Sequence, residues 1–210
     1  MTNQPTSSNI DRAINDFWKW FTTHQKDFDA LRDSDSPFWD VALRQLQQLD
    51  QRLHFEISRP SDGPREFIVT AEGRRELFEV VERLVAHAPR TNGWQFIALK
   101  PPMGFYFTTD YEGIVFDPGQ MWFCPLKSKS SPDNLGLRVG VPGLNATNKR
   151  QADNAVLVIL DTALGERSAA SDLQFVETVP LPESPAASGF IELTKLGKYI
   201  EFHKRKRKPI

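Results

Sequence analysis

The chain has 210 residues, of which 40% are hydrophobic and 25% are charged, and its net charge at neutral pH is −1. This composition indicates a soluble globular protein and excludes a low-complexity chain. A single cysteine, Cys124, excludes an intramolecular disulfide. The first residues lack the apolar core of a signal peptide, and no apolar run is long enough to cross a membrane. We therefore expect a cytoplasmic protein without a membrane span.

Basic residues are concentrated at the C-terminus, in an unbroken run of Lys204, Arg205, Lys206, Arg207 and Lys208. Without these five residues the chain has 21 basic and 27 acidic residues, a net charge of −6. A basic tail on an acidic body could make anion contacts with nucleic acid, anionic lipid or an acidic partner. The alternative is a disordered terminus that only aids solubility.

Residues 1–8 are expected to be disordered and residues 9–31 to form the first helix, with Ser8 as its N-cap. The apolar residues of this segment recur at helical spacings; they are Ile10, Ile14, Phe17, Phe21, Phe28 and Leu31. Trp18 and Trp20 flank this stripe, and they could form a partner-binding surface or pack against the main sheet. Ser36 and Pro37 suit the cap and first position of a second helix, which predicts a helical hairpin over residues 9–50.

Residues 53–100 predict a ββαβ unit. Leu53, Phe55 and Ile57 alternate with polar neighbours, as in a half-buried strand. A Gly- and Pro-containing turn leads to a second strand over residues 66–70. A helix with one apolar face follows and stops at Pro89, and a further strand begins at Trp94.

Residues 105–181 are predicted to form strands around a long helix. Strands are expected at 105–108, 113–116, 120–127 and 135–141, with a polar loop at 128–134. A helix is expected over residues 147–167. Its centre, residues 155–160, is apolar on nearly every side, so a strand is an alternative there. Another strand is expected at 173–180, followed by a linker and a terminal helix or arm over 182–203, and then the basic tail at 204–210.

These elements predict an α+β fold. We expect a mostly antiparallel sheet with a ββαβ unit, an N-terminal helical hairpin, and a further long helix packed on the sheet. Residues 9–181 are expected to form a single domain, with the hairpin at 9–50 and the sheet and helices at 52–181. The sequence has no internal repeat at a fixed period.

Few residues have the spacing of a known catalytic or binding motif. The four histidines and the cysteine are scattered, and no nucleotide-binding loop matches, so we expect neither a metal nor a cofactor. Asp161 lies in an apolar run, where a carboxylate is costly unless it meets a donor or a cation such as Arg138. Asp161 could instead line a polar cleft with Glu166. These three residues are the candidate catalytic group.

Four segments together resemble an uncharacterised group of bacterial cytosolic proteins. They are the Phe-Trp-Lys-Trp-Phe start, Thr70-Ala71-Glu72-Gly73, Ala88-Pro89 followed by Trp94, and residues 160–166. The resemblance covers about four-fifths of the chain and leaves out the basic tail. It implies no activity and no site residues.

Three functions are compatible with these observations. The first is a non-enzymatic protein-binding domain, such as an accessory or immunity-type protein. The second is a hydrolase-like enzyme with a site assembled from non-local residues around Asp161, Glu166 and Arg138. The third is a nucleic-acid-associated protein that acts through its basic tail.

Overall fold

The computed structural model describes residues 7–60, 62–127 and 135–207. Helices and mostly antiparallel strands confirm the predicted α+β fold. The chain divides into two compact units, Met1–Lys100 and Pro101–Ile210, which are described separately below. The single domain expected over residues 9–181 stays a prediction, because compactness alone does not show which segments fold independently.

The first unit contains three helices, a strand hairpin, a fourth helix and a third strand. Its elements are α1 (Ser7–Thr23), α2 (Gln25–Ala30), α3 (Pro37–Leu46), β1 (His54–Ile57), β2 (Arg65–Thr70), α4 (Phe78–Ala86) and β3 (Trp94–Ala98). The sheet order is β1-β2-β3; β1 pairs antiparallel with β2, and β3 pairs parallel with β2. The predicted ββαβ unit is therefore confirmed.

The N-terminal helix differs from its prediction at both ends. It begins at Ser7, so residues 7 and 8 are helical where disorder was expected; residues 1–6 lie outside the described residues. It also stops at Thr23. The hydroxyls of Thr22 and Thr23 donate to the carbonyl oxygens four residues earlier, and His24 takes a non-helical conformation (ψ 19°). Such back-bonding bends helices, which explains the break between α1 and α2.

Aromatic side chains fill the core of the first unit. Phe67 on β2 has no exposed surface. Its ring centroid lies 5.1–6.5 Å from the surrounding ring centroids of Phe17, Trp18, Phe21, Phe28, Phe55, Trp94 and Phe96. Most of these pairs are edge-to-face or tilted, which the charge distribution of aromatic rings favours.

The second unit contains two strand hairpins, two consecutive helices, two further strands and a terminal helix. Its elements are β4 (Thr109–Tyr111), β5 (Ile114–Phe116), β6 (Trp122–Lys127), β7 (Leu135–Val141), α5 (Lys149–Leu164), α6 (Glu166–Asp172), β8 (Leu173–Pro180), β9 (Ile191–Glu192) and α7 (Leu196–Arg207). Strands β4 and β5 form a separate hairpin, and the larger sheet has the order β8-β7-β6-β9.

Three predictions for this unit need correction. Residues 105–108 form no strand, because the preceding N–H groups of Met103 and Gly104 donate to the carbonyl oxygens of Thr162 and Ala163 at the end of α5. The last carbonyl groups of a helix have no hydrogen-bond partner within the helix. Residues 103 and 104 supply partners for two of them at the end of α5. The helix expected over 147–167 is split at Gly165, where φ is 77° and ψ 153°.

The third correction concerns the basic tail. Helix α7 continues through Arg207, so residues 204–207 are helical and only Lys208 and the last two residues lie outside the described residues. Residues 155–160 are helical within α5, which excludes the strand alternative for that segment.

Both units contain the same ββαβ order. In the second unit β6 and β7 form an antiparallel hairpin, α5 and α6 follow, and β8 returns parallel to β7. In each unit, the second strand of the hairpin lies between the first strand of the hairpin and the strand that follows the helix. The position of β8 thus corresponds to that of β3, at one edge of its sheet.

Candidate functional site

The three candidate catalytic residues are not brought together. Arg138 on β7 donates from Nε to Oε1 of Glu177 at 2.5 Å, and these two residues are cross-strand neighbours. Its sequence neighbours Leu137 and Val139 are buried in the core with α5, so Arg138 points to the opposite face of the sheet. Asp161 lies half-buried on α5. The expectation that Arg138 partners Asp161 is therefore wrong.

Glu166 is fully buried at the start of α6, directly after Gly165. Asp161 is five residues earlier, on α5. Among residues 7–60, 62–127 and 135–207, no group of three or more His, Cys, Asp or Glu side chains could hold a metal ion. A catalytic role for Asp161, Glu166 and Arg138 therefore stays a prediction.

The two tryptophans considered for a partner surface have different environments. Trp18 is only 5% exposed, and its indole Nε1 donates to the carbonyl oxygen of Leu84 at 2.8 Å. It therefore belongs to the core of the first unit. Trp20 is half-buried and stacks between His24 and Phe38, with ring centroids 4.5 and 5.8 Å away. Neither ring is presented as a free surface.

One pocket of the first unit has paired charges at its rim. The pocket has a volume of about 440 Å³, and its apolar lining consists of Ile10, Ala13, Leu49, Leu77 and Val80. Arg52 donates to both carboxylate oxygens of Asp50 at 2.9 Å and to Glu76 at 3.0 Å. The side-chain hydrogen bonds from Arg52 lower the pKa of Asp50. The charges at the rim of this pocket are therefore paired with one another.

Strand β8 is the longest strand at a sheet edge in the described part of the chain. It pairs with β7 along one side, and no described strand pairs with its other side. A free edge presents N–H and C=O groups to any extended segment of another chain. Natural edges are often blocked by charged side chains, but the one charged residue of β8, Glu177, is paired with Arg138 on the sheet face.

An apolar groove of about 240 Å³ runs beside this edge. It lies between α5, α6 and β8; its lining includes Leu157, Leu160, Ala169, Leu173 and Phe175. Leu157 and Phe175 are each 55% exposed. At the groove, β8 carries one extra residue, Gln174, because Leu135 pairs with Leu173 while Gly136 pairs with Phe175. Leu157 therefore borders the unpaired edge on the α5 side. Phe175, whose β7 partner Gly136 lies on the same face as Arg138, borders it on the opposite side.

The chain matches no known protein family, and no curated protein or solved structure is similar to it. No helix of residues 7–60, 62–127 and 135–207 is both long and apolar enough to span a membrane.

The face of β8 that is turned toward α5 becomes more polar along the strand. Val176 and Thr178 face α5, since their β7 partners Leu137 and Val139 lie in the core beneath that helix. Thr178 donates to Asp153, which also accepts from Lys149. The groove lies along the first half of β8, from Leu173 to Val176. Beyond it, the α5 side of the strand carries the polar group of Thr178, Asp153 and Lys149.

The basic residues of α7 lie close to the start of β8. Lys204 Nζ is 2.7 Å from Oδ2 of Asp172, the residue that immediately precedes the strand. Arg205 and Lys206 are exposed, and Lys206 lies over the ring of Phe202 at 4.5 Å. The side chain of Arg207 and all of Lys208 lie outside the described residues.

Sequence reasoning did not identify the groove, although one signal was present. The segment 155–160 is apolar all round, and a helix that packs on one sheet face cannot bury every side of such a segment. Helix α5 buries Ala155, Val156, Ile159 and Leu160 and leaves Leu157 and Val158 exposed. The all-round apolar segment was therefore a signal in the sequence that part of α5 would expose apolar side chains.

Proposed function

We propose that this protein is a non-enzymatic binding protein that holds a protein partner, and that the partner docks as an added strand on β8. A bacterial accessory or immunity-type role fits this activity. The observation that carries the proposal is the unpaired eight-residue edge of β8 beside the apolar groove. Strand addition combines main-chain hydrogen bonds with side-chain pockets, and both are available at this edge.

The free energies expected from main-chain hydrogen bonds and from apolar burial are large enough for measurable binding. Each main-chain hydrogen bond contributes a net stabilisation of about 0.5–1.5 kcal/mol, and several can form along one strand. Complete burial of an exposed Leu or Phe side chain contributes at most about 1.5–3 kcal/mol. Leu157 and Phe175 are already partly covered, so each contributes about half of that amount. These contributions together outweigh the entropy that both proteins lose on binding only if the partner contacts the groove and the strand edge at the same time.

A capture experiment tests the proposal. The wild-type protein and the variants Leu157→Lys, Phe175→Lys and Val115→Lys are immobilised and exposed to nuclease-treated extract of the native host. Val115 is 65% exposed and lies outside the groove, which makes it the matched control. A captured protein is identified, purified and titrated against each variant.

We expect the first two variants to weaken binding about tenfold or more, as for central interface residues, and the control to bind as wild type does. Recovery of no partner, or a partner that binds all four proteins equally, would contradict the proposal. Capture from untreated extract that is lost on nuclease treatment, and on replacing the basic residues of α7, would instead indicate nucleic acid as the ligand.

A further inference from the structure

We infer that the partner strand carries a carboxylate at the end that reaches Leu173, following apolar side chains at alternate positions. This inference rests on the proposed function and specifies the chemistry of the partner. It depends on two independent features of the second unit, the position of the groove at the start of β8 and the position of the basic end of α7.

The basic end of α7 is fixed next to the first residue of β8. Asp172 is nearly buried, with 11% of its side chain exposed, and it accepts hydrogen bonds from Lys204 and from the hydroxyl of Ser168, both at 2.7 Å. Half of the Lys204 side chain (53%) remains exposed. The ion pair therefore holds the helix end in place while its charge stays accessible.

The net charge at this end is positive. Lys204, Arg205 and Lys206 follow one another, and Asp172 neutralises only one of them. Glu201 lies one turn earlier on α7 and leaves the cluster with an excess of basic residues. An incoming carboxylate is attracted to such a cluster, and the attraction weakens as salt is added.

The groove determines which partner residues are apolar. Side chains of an added strand that point toward α5 meet Leu157, Leu160 and Ala169 near the start of β8. Farther along, they meet Asp153 and Lys149 beside Thr178. Apolar residues are therefore needed only in the part of the partner strand that lies near Leu173, where the basic cluster also lies.

We take the partner strand to pair antiparallel with β8, because antiparallel strand pairs outnumber parallel ones about two- to threefold. A strand that pairs antiparallel with β8 runs toward Leu173, so its C-terminal end lies beside the basic cluster. The carboxylate can come from an Asp or Glu side chain or from the chain terminus. Either source gives the same pattern, two or three alternate apolar residues followed by a negative charge.

A peptide selection tests this inference. A library of random peptides of about twelve residues, long enough for one added strand, is selected on the wild-type protein and depleted on Leu157→Lys. We expect the enriched peptides to have alternate apolar residues followed by Asp or Glu, or by the free C-terminus. Enriched peptides with basic ends, or no enrichment over the depleted library, would overturn the inference.

The charge contribution is then measured on one enriched peptide by fluorescence anisotropy. The double variant Arg205→Gln/Lys206→Gln keeps the Lys204–Asp172 pair, and we expect it to raise Kd about fivefold, an effect that added salt removes. Amidation of the peptide terminus, compared with Glu→Gln changes in the peptide, identifies the source of the carboxylate. Val115→Lys should leave Kd unchanged, and circular dichroism confirms that each variant is folded.

The two proposals fail in different ways. A peptide that loses affinity for Leu157→Lys but binds the double variant as tightly as wild type would overturn the carboxylate and leave strand addition intact. A peptide that binds Leu157→Lys as tightly as wild type would overturn both. Sedimentation of the free protein gives a further check, because a dimer that dissociates in Leu157→Lys would mean that a second copy occupies the edge.

Discussion

Phe67 lies at the centre of the aromatic cluster of the first unit and has no exposed surface. The change Phe67→Ala removes a ring that several neighbouring rings contact, and rigid aromatic neighbours close such a cavity poorly. We expect it to lower the free energy of unfolding by about 3–5 kcal/mol in urea titrations. The control Val41→Ala, at a residue 41% exposed on α3, should change the free energy by less than about 0.5 kcal/mol. A similar loss in both variants would contradict this account of the core.

Asp153 provides a prediction that depends on pH. Partial burial alone would raise its pKa, but hydrogen bonds from Lys149 and Thr178 outweigh it and lower the pKa below the ordinary 3.8. A lowered pKa means that the carboxylate stabilises the folded state above pH 3.8 and that this contribution is lost as the pH falls through the folded-state value.

Thr178→Val removes one of these donors, so the pKa of Asp153 should rise toward its ordinary value in an NMR titration. The difference in unfolding free energy between wild type and variant should shrink as the solution is acidified. The change Ser168→Ala is the control, because Ser168 bonds to Asp172 and should leave the pKa of Asp153 unchanged. An unaltered pKa in Thr178→Val would show that the Thr178 bond does not act on the carboxylate.

Side-chain partners were the least predictable feature at this scale. The sequence placed Asp161 in an apolar run and offered Arg138 as one of its possible partners, but Arg138 lies on the other face of the sheet and pairs with Glu177. That error has a physical cause, because the partner of Arg138 depends on the register between β7 and β8, which pairs it with Glu177. Register is set by contacts between distant segments and is not visible in either strand alone.

Two glycines give opposite predictions for their helices. Gly165 separates α5 from α6 at φ 77° and ψ 153°, a conformation that is nearly exclusive to glycine. Gly197 lies in α7, and a Cβ atom added there would meet no atom within 4 Å. We expect Gly165→Ala to destabilise the protein by about 1–3 kcal/mol.

Gly197→Ala should instead stabilise the protein by up to about 1 kcal/mol, because alanine loses less backbone freedom on folding. Chemical denaturation of the two variants under identical conditions measures both changes. If Gly165→Ala were as stable as wild type, the backbone strain assigned to the α5–α6 junction would be absent.

Elements with strong periodicity were predicted well. Strands β7 and β8 have the predicted bounds because alternation and flanking turn residues specify them locally. The end of α1 and the strand at residues 105–108 were predicted wrongly, because hydrogen bonds that the apolar pattern does not reveal determine both conformations. These are the Thr22 and Thr23 hydroxyl bonds and the bonds from residues 103 and 104 to the end of α5.

The order of the predicted elements already contained the second ββαβ unit. Strands at 120–127 and 135–141, a helix and a strand at 173–180 follow one another as in the first unit. A short hairpin requires antiparallel pairing, and a helical crossover allows the next strand to lie parallel. The division of the chain near Lys100 and the free edge of β8 could not be predicted, because both depend on which segments remain unpaired in three dimensions.

Hydrogen–deuterium exchange shows directly whether a partner adds a strand to β8. A peptide enriched in the selection, or a captured partner, is added to the wild-type protein, and amide exchange is compared with that of the free protein. Strand addition predicts slower exchange of the amides in residues 175–179, with little change in β1 and β3 of the first unit. Protection confined to α7, with β8 unchanged, would contradict the proposed docking surface.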